Sequence, residues 1–262
     1  MRTTSTINTN TASMLTLVKL PDLLSILNAL FGFTAILLVF GDTSVTENAL
    51  KNALVLILLA AVVDGLDGIV ARKIECSSLG EYLDSLADML SFGVAPAIVV
   101  YALIKSYFEV TPTHINVVLA FCGAYVISGM LRLARFNANL FVEKKALPNE
   151  RSSEFEGFPI TSSAIFLASF MLLAIELQLP SSSSVPLLTG LLGLLCLLMT
   201  SRIRYRKLRD KRIAIPLGIV FFTLFVFYIL SLAFVYSALL VFILTAFYMC
   251  SPLLYNKREK FK

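Results

Sequence analysis

The sequence predicts an all-α polytopic membrane protein, a transmembrane helical bundle of about eight spans, and three observations lead to this class. Hydrophobic residues make up 58% of the 262 residues and charged residues only 15%, whereas a soluble domain carries roughly a quarter charged residues. The mean hydropathy is +0.84. Apolar runs of about 18–25 residues, long enough to cross a bilayer as helices, recur along the whole chain.

The predicted spans follow from the apolar runs and from the polar or Pro- and Gly-containing stretches that separate them. They are expected near residues 22–41, 50–71, 79–104, 114–136, 157–177, 185–200, 213–233 and 236–255. The last two come from one apolar stretch of about 43 residues, which is too long for a single span. In the first span the polar Asn28 is expected to be a hydrogen-bonded packing amide.

The basic residues indicate how the spans are oriented. With eight spans both termini lie on the same side, and of the 22 Lys and Arg only Lys51 and Lys105 fall on the other side. The positive-inside rule therefore places both termini and the basic loop 201–212 in the cytoplasm. The net charge of +5 is interpreted as this asymmetry and as affinity for lipid surfaces, not as nucleic-acid binding.

Four aspartates lie within otherwise apolar sequence of the kind that spans a membrane: Asp64, Asp67, Asp84 and Asp88. A carboxylate in a membrane helix is costly and usually functional, and four close together repel one another unless cations hold them. Asp64 and Asp67 are spaced i,i+3, and Asp84 and Asp88 are spaced i,i+4, so each pair lies on one helix face. The short segment 73–79 makes the two helices antiparallel neighbours, so the two pairs can face each other.

Oxygen ligands alone favour Mg²⁺ or Mn²⁺ and argue against zinc, which prefers Cys and His. A pair of hard cations between carboxylates is typical of phosphoryl transfer. Gly68, Ala71 and Gly80 remove side-chain bulk beside the acids, so a ligand can approach the backbone there. An alternative that stays open is a membrane bundle whose buried acids serve ion coupling, that is, a cation-coupled transporter.

The two acidic segments, DGLDGIVAR and GEYLDSLAD, resemble the signature of the CDP-alcohol phosphatidyltransferase family. That signature reads D-x-x-D-G-x-x-A-R, a spacer, and then G-x-x-x-D-x-x-x-D. All of its fixed positions are present here, as Asp64, Asp67, Gly68, Ala71, Arg72, Gly80, Asp84 and Asp88. The spacer is one residue shorter than the family's commonest length, a difference that falls in the predicted loop.

The resemblance implies one catalytic membrane domain over residues 1–262, with a six-helix core at about 22–200 and two further helices at 213–255. It implies a homodimer and two divalent cations, Mg²⁺ or Mn²⁺, and Asp88 as general base. The ligands of the two cations would be the four aspartates, Asp64, Asp67, Asp84 and Asp88. The residues beside the CDP-lipid would be Gly68, Ala71, Arg72 and Gly80.

The segment LRLARFN, residues 131–137, resembles the part of the family that uses serine. Arg132 and Arg135 lie at the cytoplasmic end of the fourth span, where they are candidates to bind the carboxylate of L-serine through a planar guanidinium. The other interpretation is that they are snorkelling membrane anchors. FEGFPITSSA, residues 155–164, is a partial match to F-x-G-L-P-x-P-A-A-A, with Thr161 where Pro is usual.

The resemblance therefore implies transfer of a phosphatidyl group from CDP-diacylglycerol, or from its archaeal ether analogue CDP-archaeol, to L-serine, with release of CMP. A sibling enzyme that uses glycerol 3-phosphate or inositol phosphate remains an alternative. Those acceptors need a basic phosphate pocket, and the LRLARFN segment argues against them.

Overall fold

The computed structural model describes residues 19–40, 45–70, 80–108, 110–145, 154–206 and 234–259, and the structural statements below concern these ranges. Almost all of them are helical. The helices are α1 (Leu20–Phe40), α2 (Glu47–Val70), α3 (Gly80–Asp88), a π-helix (Met89–Val94), α4 (Ala95–Tyr107), α5 (Pro112–Lys145), α6 (Ile160–Glu176), α7 (Ser181–Thr200) and α8 (Phe234–Glu259). Two short strands, β1 (Glu154–Glu156) and β2 (Arg204–Arg206), complete these elements.

Five helical stretches are long and apolar enough to cross a membrane. They are Pro21–Phe40, Glu47–Leu66, Gly80–Tyr107, Pro112–Asn139 and Ser181–Thr200. Two shorter apolar helices, Ile160–Glu176 and Ala238–Cys250, accompany them. The predicted all-α, multi-pass membrane class is therefore confirmed. The predicted span at 213–233 lies outside the described residues, so the count of eight spans and the division into core and further helices stay predictions.

Helix α6 lies at the centre of the bundle. Its sequence is apolar on all sides, and a helix of that kind must be surrounded by protein or lipid; here nearly every side chain from Ile160 to Ile175 is buried. It packs against α2, α8 and the π-helix. Lys51, in the first turns of α2, pairs with Glu176 at the end of α6 at 2.7 Å, so the two helices run antiparallel and the start of α6 lies near the end of α2.

The third predicted span is a single rod with an interruption. Helix α3 ends at Asp88, the π-helix Met89–Val94 follows directly, and α4 continues from Ala95 to Tyr107. A continuous α-helix was expected over 79–104. A π turn contains one more residue than an α turn, and such turns are frequent at functional sites.

The two strands lie in segments that were expected to be loops without regular structure. They pair antiparallel, with Phe155 opposite Tyr205 and an acidic residue opposite a basic one on either side. Gly157 follows β1 at a φ of +81°, and a Cβ there would lie 2.5 Å from the carbonyl oxygen of Met199. Only glycine fits this turn, which starts α6 directly beside the end of α7.

Candidate active site

Three of the four signature aspartates converge. Asp64 comes from the end of α2, and Asp84 and Asp88 come from α3; one carboxylate oxygen of each lies within 4.8 Å of the others. Asp88 is 8% exposed, while the other two are half-buried. Asp67 lies one turn after Asp64 on the same helix, and its side chain is outside the described residues.

The expected small-residue pocket beside the acids is only partly described. Gly80 is the first residue of α3 and is half-buried. Gly68 lies in the last turn of α2, and its surroundings are outside the described residues. Ala71 and Arg72 lie wholly outside them. The assignment of these four positions to a CDP-lipid therefore stays a prediction.

Asp88 and Asp64 each have a polar neighbour from a helix that is distant in sequence. The Asn28 Nδ2 of α1 donates a hydrogen bond to Asp88 Oδ1 at 3.3 Å. The Thr161 hydroxyl, in the first turn of α6, donates to Asp64 Oδ2 at 3.4 Å. The antiparallel packing of α2 and α6 explains the second contact, because it brings the start of α6 to the end of α2.

Arg132 lies against this acidic cluster. It is 8% exposed and within electrostatic range of Asp88 and Asp64, with its guanidinium 5.6 Å from the ring centre of Phe136. A buried charge is costly, and the electrostatic attraction of these carboxylates offsets part of that cost. One guanidinium cannot balance three carboxylates, so the site carries excess negative charge.

Arg135 has different surroundings, although it is only one turn further along α5. Its Nη1 donates to the carbonyl oxygen of Ser201 and its Nη2 to that of Thr200, both at 3.0 Å. These carbonyls belong to the C-terminal end of α7, where helical partners are missing and the helix dipole favours a cation. Arg135 therefore fastens α5 to α7.

Asn137, the last polar residue of LRLARFN, contacts the acidic helix itself. Its Nδ2 donates to the Ser85 hydroxyl at 3.0 Å, and that hydroxyl lies 3.1 Å from Asn137 Oδ1. Ser85 is the residue after Asp84, so this contact ties α5 to α3 beside the carboxylates.

Three aromatic rings from separate parts of the chain form a cluster at this end of the bundle. Phe158, which is fully buried, lies 5.4 Å from Tyr205 and 6.0 Å from Tyr248, and the two tyrosine rings are 5.8 Å apart. Burial raises the pKa of the Tyr205 phenol, so it stays neutral at physiological pH. Tyr248, on α8, is also within electrostatic range of Arg132.

The donor set fits a hard divalent cation. The three converging groups are carboxylates, which Mg²⁺ and Mn²⁺ prefer, and their excess negative charge favours a cation between them. The family model for CDP-alcohol phosphatidyltransferases matches residues 18–201, a range that contains all of these acids and Arg132. The chain belongs to the CDP-alcohol phosphatidyltransferase family. The membership expected from the signature is thereby confirmed.

Curated members of the family are similar to this chain. An archaetidylserine synthase of Methanothermobacter thermautotrophicus is 37% identical over 166 residues, which are 62% of each chain. A CDP-diacylglycerol–serine O-phosphatidyltransferase of Saccharomyces cerevisiae is 37% identical over 56% of this chain and 51% of its own length. The enzyme of that name from Helicobacter pylori strain J99 is 33% identical over 69% of each chain. This chain thus spans about half to two thirds of these relatives.

Several contacts at this site were not foreseen from the sequence. The sequence marks Asn28 as unusual, because it is an amide in an apolar helix, but this amide was interpreted as a packing residue. It also marks Thr161, which stands where Pro is usual in the family segment. Ser85 and Tyr248 carried no signal, since a serine in a polar helix and a tyrosine in an apolar one are both ordinary.

Proposed function

We propose that this protein transfers a phosphatidyl group, or its ether-lipid analogue, from a CDP-linked lipid to the hydroxyl of L-serine and releases CMP. It would thus be a phosphatidylserine synthase or an archaetidylserine synthase. The observation that carries this proposal is the buried guanidinium of Arg132 beside the carboxylate cluster. Relatives whose names state serine transfer, at 32–39% identity, support the choice of acceptor.

The acids supply the metal chemistry of the reaction. Asp64, Asp84 and Asp88, together with Asp67 of the same signature, would hold two divalent cations, Mg²⁺ or Mn²⁺. When bound, such cations neutralise the pyrophosphate of the CDP-lipid and the charge that develops on the departing CMP. Gly68, Ala71, Arg72 and Gly80 are the proposed contacts of the CDP-lipid.

Asp88 is the proposed general base. Its Oδ1 accepts the hydrogen bond from Asn28, and as a carboxylate beside the reacting groups it can take the proton of the serine hydroxyl. The serine oxygen then forms a bond to the phosphorus that carries the lipid. The bond from that phosphorus to the bridging oxygen breaks, and its electron pair leaves with CMP.

Arg132 is the proposed partner of the serine carboxylate. A serine whose hydroxyl faces Asp88 must place its carboxylate nearby, and an unpaired anion in a partly dry site is costly. Arg132 is within electrostatic range of Asp88 and has the planar fork that matches a carboxylate. Arg135 already uses both terminal nitrogens on α7, so we assign it to holding the bundle.

The cellular arrangement follows from the same reasoning. The protein would lie in the cell membrane with both termini and the active site facing the cytoplasm, where nucleotides are available, and it would form a homodimer. Asp84 and Asp88 lie in the first nine residues of the span that begins at Gly80, so lipid tails can stay between helices while the headgroup reacts toward the cytoplasmic side.

The deciding experiment is an acceptor comparison with purified protein. CDP-diacylglycerol and CDP-archaeol are each offered with radiolabelled L-serine, glycerol 3-phosphate or inositol phosphate, in the presence of Mn²⁺, and labelled lipid and CMP are measured. We expect labelled lipid and CMP in equal amounts with serine alone. Label from glycerol 3-phosphate or inositol phosphate would assign the protein to a sibling activity. A protein that releases no CMP with any acceptor would refute the transferase assignment.

A further inference from the structure

Asn28, on α1, contacts a signature aspartate, with 3.3 Å between its Nδ2 and Asp88 Oδ1. We propose that Asn28 is a positioning residue that holds the carboxylate of Asp88 in its working orientation. It acts through Asp88 and, being fully buried, does not touch the substrate.

The backbone fixes how far Asn28 lies from Asp88. Ser91, in the π-helix three residues after Asp88, donates its hydroxyl to the carbonyl oxygen of Asn28 at 2.8 Å. One turn further along α1, a Cβ at Gly32 would lie 2.6 Å from the Cα of Ser91. The two helices are therefore in close contact at Asn28 itself and one turn further along α1, and the Asn28 side chain has little freedom to move away from the carboxylate.

The amide is poorly suited to a role in packing alone. Its Oδ1 is buried and has no hydrogen-bond partner among the described residues, and a buried unsatisfied acceptor costs about 1–3 kcal/mol. Leucine would occupy this position in an apolar helix without that cost, and a serine hydroxyl would be too short to reach Asp88. The amide provides what neither of them does, a donor that reaches the Asp88 carboxylate.

A contact of this kind has a consequence for the acid it holds. A carboxylate that has one oxygen fixed by a neutral donor cannot rotate freely, so its orientation within the cluster with Asp64 and Asp84 is restricted. Residues that orient the ligands of a metal typically change metal affinity or activity by roughly 10–100-fold when they are replaced.

The test is a double-mutant cycle of Asn28→Leu and Asp88→Ala on the full-length protein in detergent, because alanine leaves no acceptor for the Asn28 amide. Mn²⁺ affinity is measured by titration, and serine-dependent turnover is measured at saturating CDP-diacylglycerol. We expect Asn28→Leu to lower Mn²⁺ affinity, turnover or both by roughly 10–100-fold in the parent protein, with the KM for CDP-diacylglycerol unchanged. In the Asp88→Ala background the same substitution should change neither quantity by more than about twofold, which is the scatter of independent sites.

Asn28 would be a mere packing residue if its replacement caused the same loss, within about twofold, in both backgrounds and in both measurements. Thr34→Val is the matched control, because it removes a hydroxyl from the exposed face of α1 that bonds only within its own helix as far as the described contacts go; it should match the parent protein. If Asn28→Leu fails to fold, Asn28→Ser enters the same cycle, since a serine hydroxyl is too short to reach Asp88.

The turnover arm rests on the proposed serine transfer, whereas the Mn²⁺ arm does not. A parent protein that binds Mn²⁺ but transfers nothing to serine would refute the proposed function and leave the Asn28 proposal to be decided by Mn²⁺ affinity alone.

Discussion

Replacement of Arg132 by lysine tests the choice of serine most directly. The substitution keeps a positive charge next to Asp88 and Asp64, so the electrostatic balance of the site changes little. It removes the planar fork that can hold a carboxylate with two parallel hydrogen bonds, which a lysine ammonium cannot reproduce. The expected effect is therefore on the acceptor and not on the CDP-lipid.

The size of the effect follows from the contact that is lost. A hydrogen bond to a charged group contributes about 1.5–3 kcal/mol, and every 1.4 kcal/mol is about a tenfold change in affinity. Because Arg132 is 8% exposed, solvent screens the contact little, and the full range applies. The KM for serine should rise roughly 10–100-fold in Arg132→Lys, while the KM for CDP-diacylglycerol stays within about twofold of the parent value.

The assay measures CMP release at saturating CDP-diacylglycerol while serine is varied. Arg135→Lys is the matched control, because it is the same chemical change one turn further along α5. Its two bonds to the carbonyls of Thr200 and Ser201 hold α7, so this variant should unfold at a lower temperature with a normal serine KM. Ethanolamine, which lacks the carboxylate, should be a poor acceptor for the parent protein and no worse for Arg132→Lys.

The reasoning would be refuted by a normal serine KM in Arg132→Lys, which would make this arginine a counter-charge for the acids and no more. A raised serine KM in Arg135→Lys alone would transfer the carboxylate contact to Arg135. It would also mean that the helix-end contact seen here is exchanged when serine binds.

Three further predictions concern the metal, the base and the topology. EDTA should abolish CMP release, and Mg²⁺ or Mn²⁺ should restore it; full activity in chelator would contradict the cation site. Asp88→Asn should lower turnover by roughly 10²–10⁴-fold with CDP-lipid binding retained, whereas Asp67→Asn should weaken binding of both Mn²⁺ and CDP-lipid. Equal loss of CDP-lipid binding in the two variants would make Asp88 primarily a ligand. A reporter fused after Lys262, or inserted in the loop 201–212, should be cytoplasmic; an external signal at either position would overturn the span count.

Much of the fold could be predicted because its determinants are local. Transmembrane helices are recognised from hydrophobicity summed over about 20 consecutive residues, so errors at single positions cancel. Most of the predicted bounds lie within a few residues of the observed helices. The largest difference is at α5, which continues to Lys145 although it was expected to end near residue 136. The polar residues after that point are compatible with helix, and hydrophobicity alone ends a span where the membrane ends.

The contacts between distant segments could not be predicted in the same way. Asn28 is 60 residues from Asp88, and Thr161 is 97 residues from Asp64. Each contact depends on the rotation and axial shift of one helix against another, which small residues and side-chain packing set over the whole bundle. The pairing of β1 with β2 is of the same kind, because short polar segments in two loops carry no pattern that identifies their partners.

The predicted helix face of Asp84 and Asp88 is observed because both residues precede the irregular part of their span. Asp84 and Asp88 both precede Met89, where the π turn begins, so the spacing of four residues still puts them on one face of a regular α-helix. After Met89 the extra residue of the π turn changes the direction of every following side chain relative to a continuous helix. The carboxylates are thus fixed by a local rule. Ser91, whose hydroxyl donates to the carbonyl oxygen of Asn28 on α1, lies in the π-helix, where that rule fails.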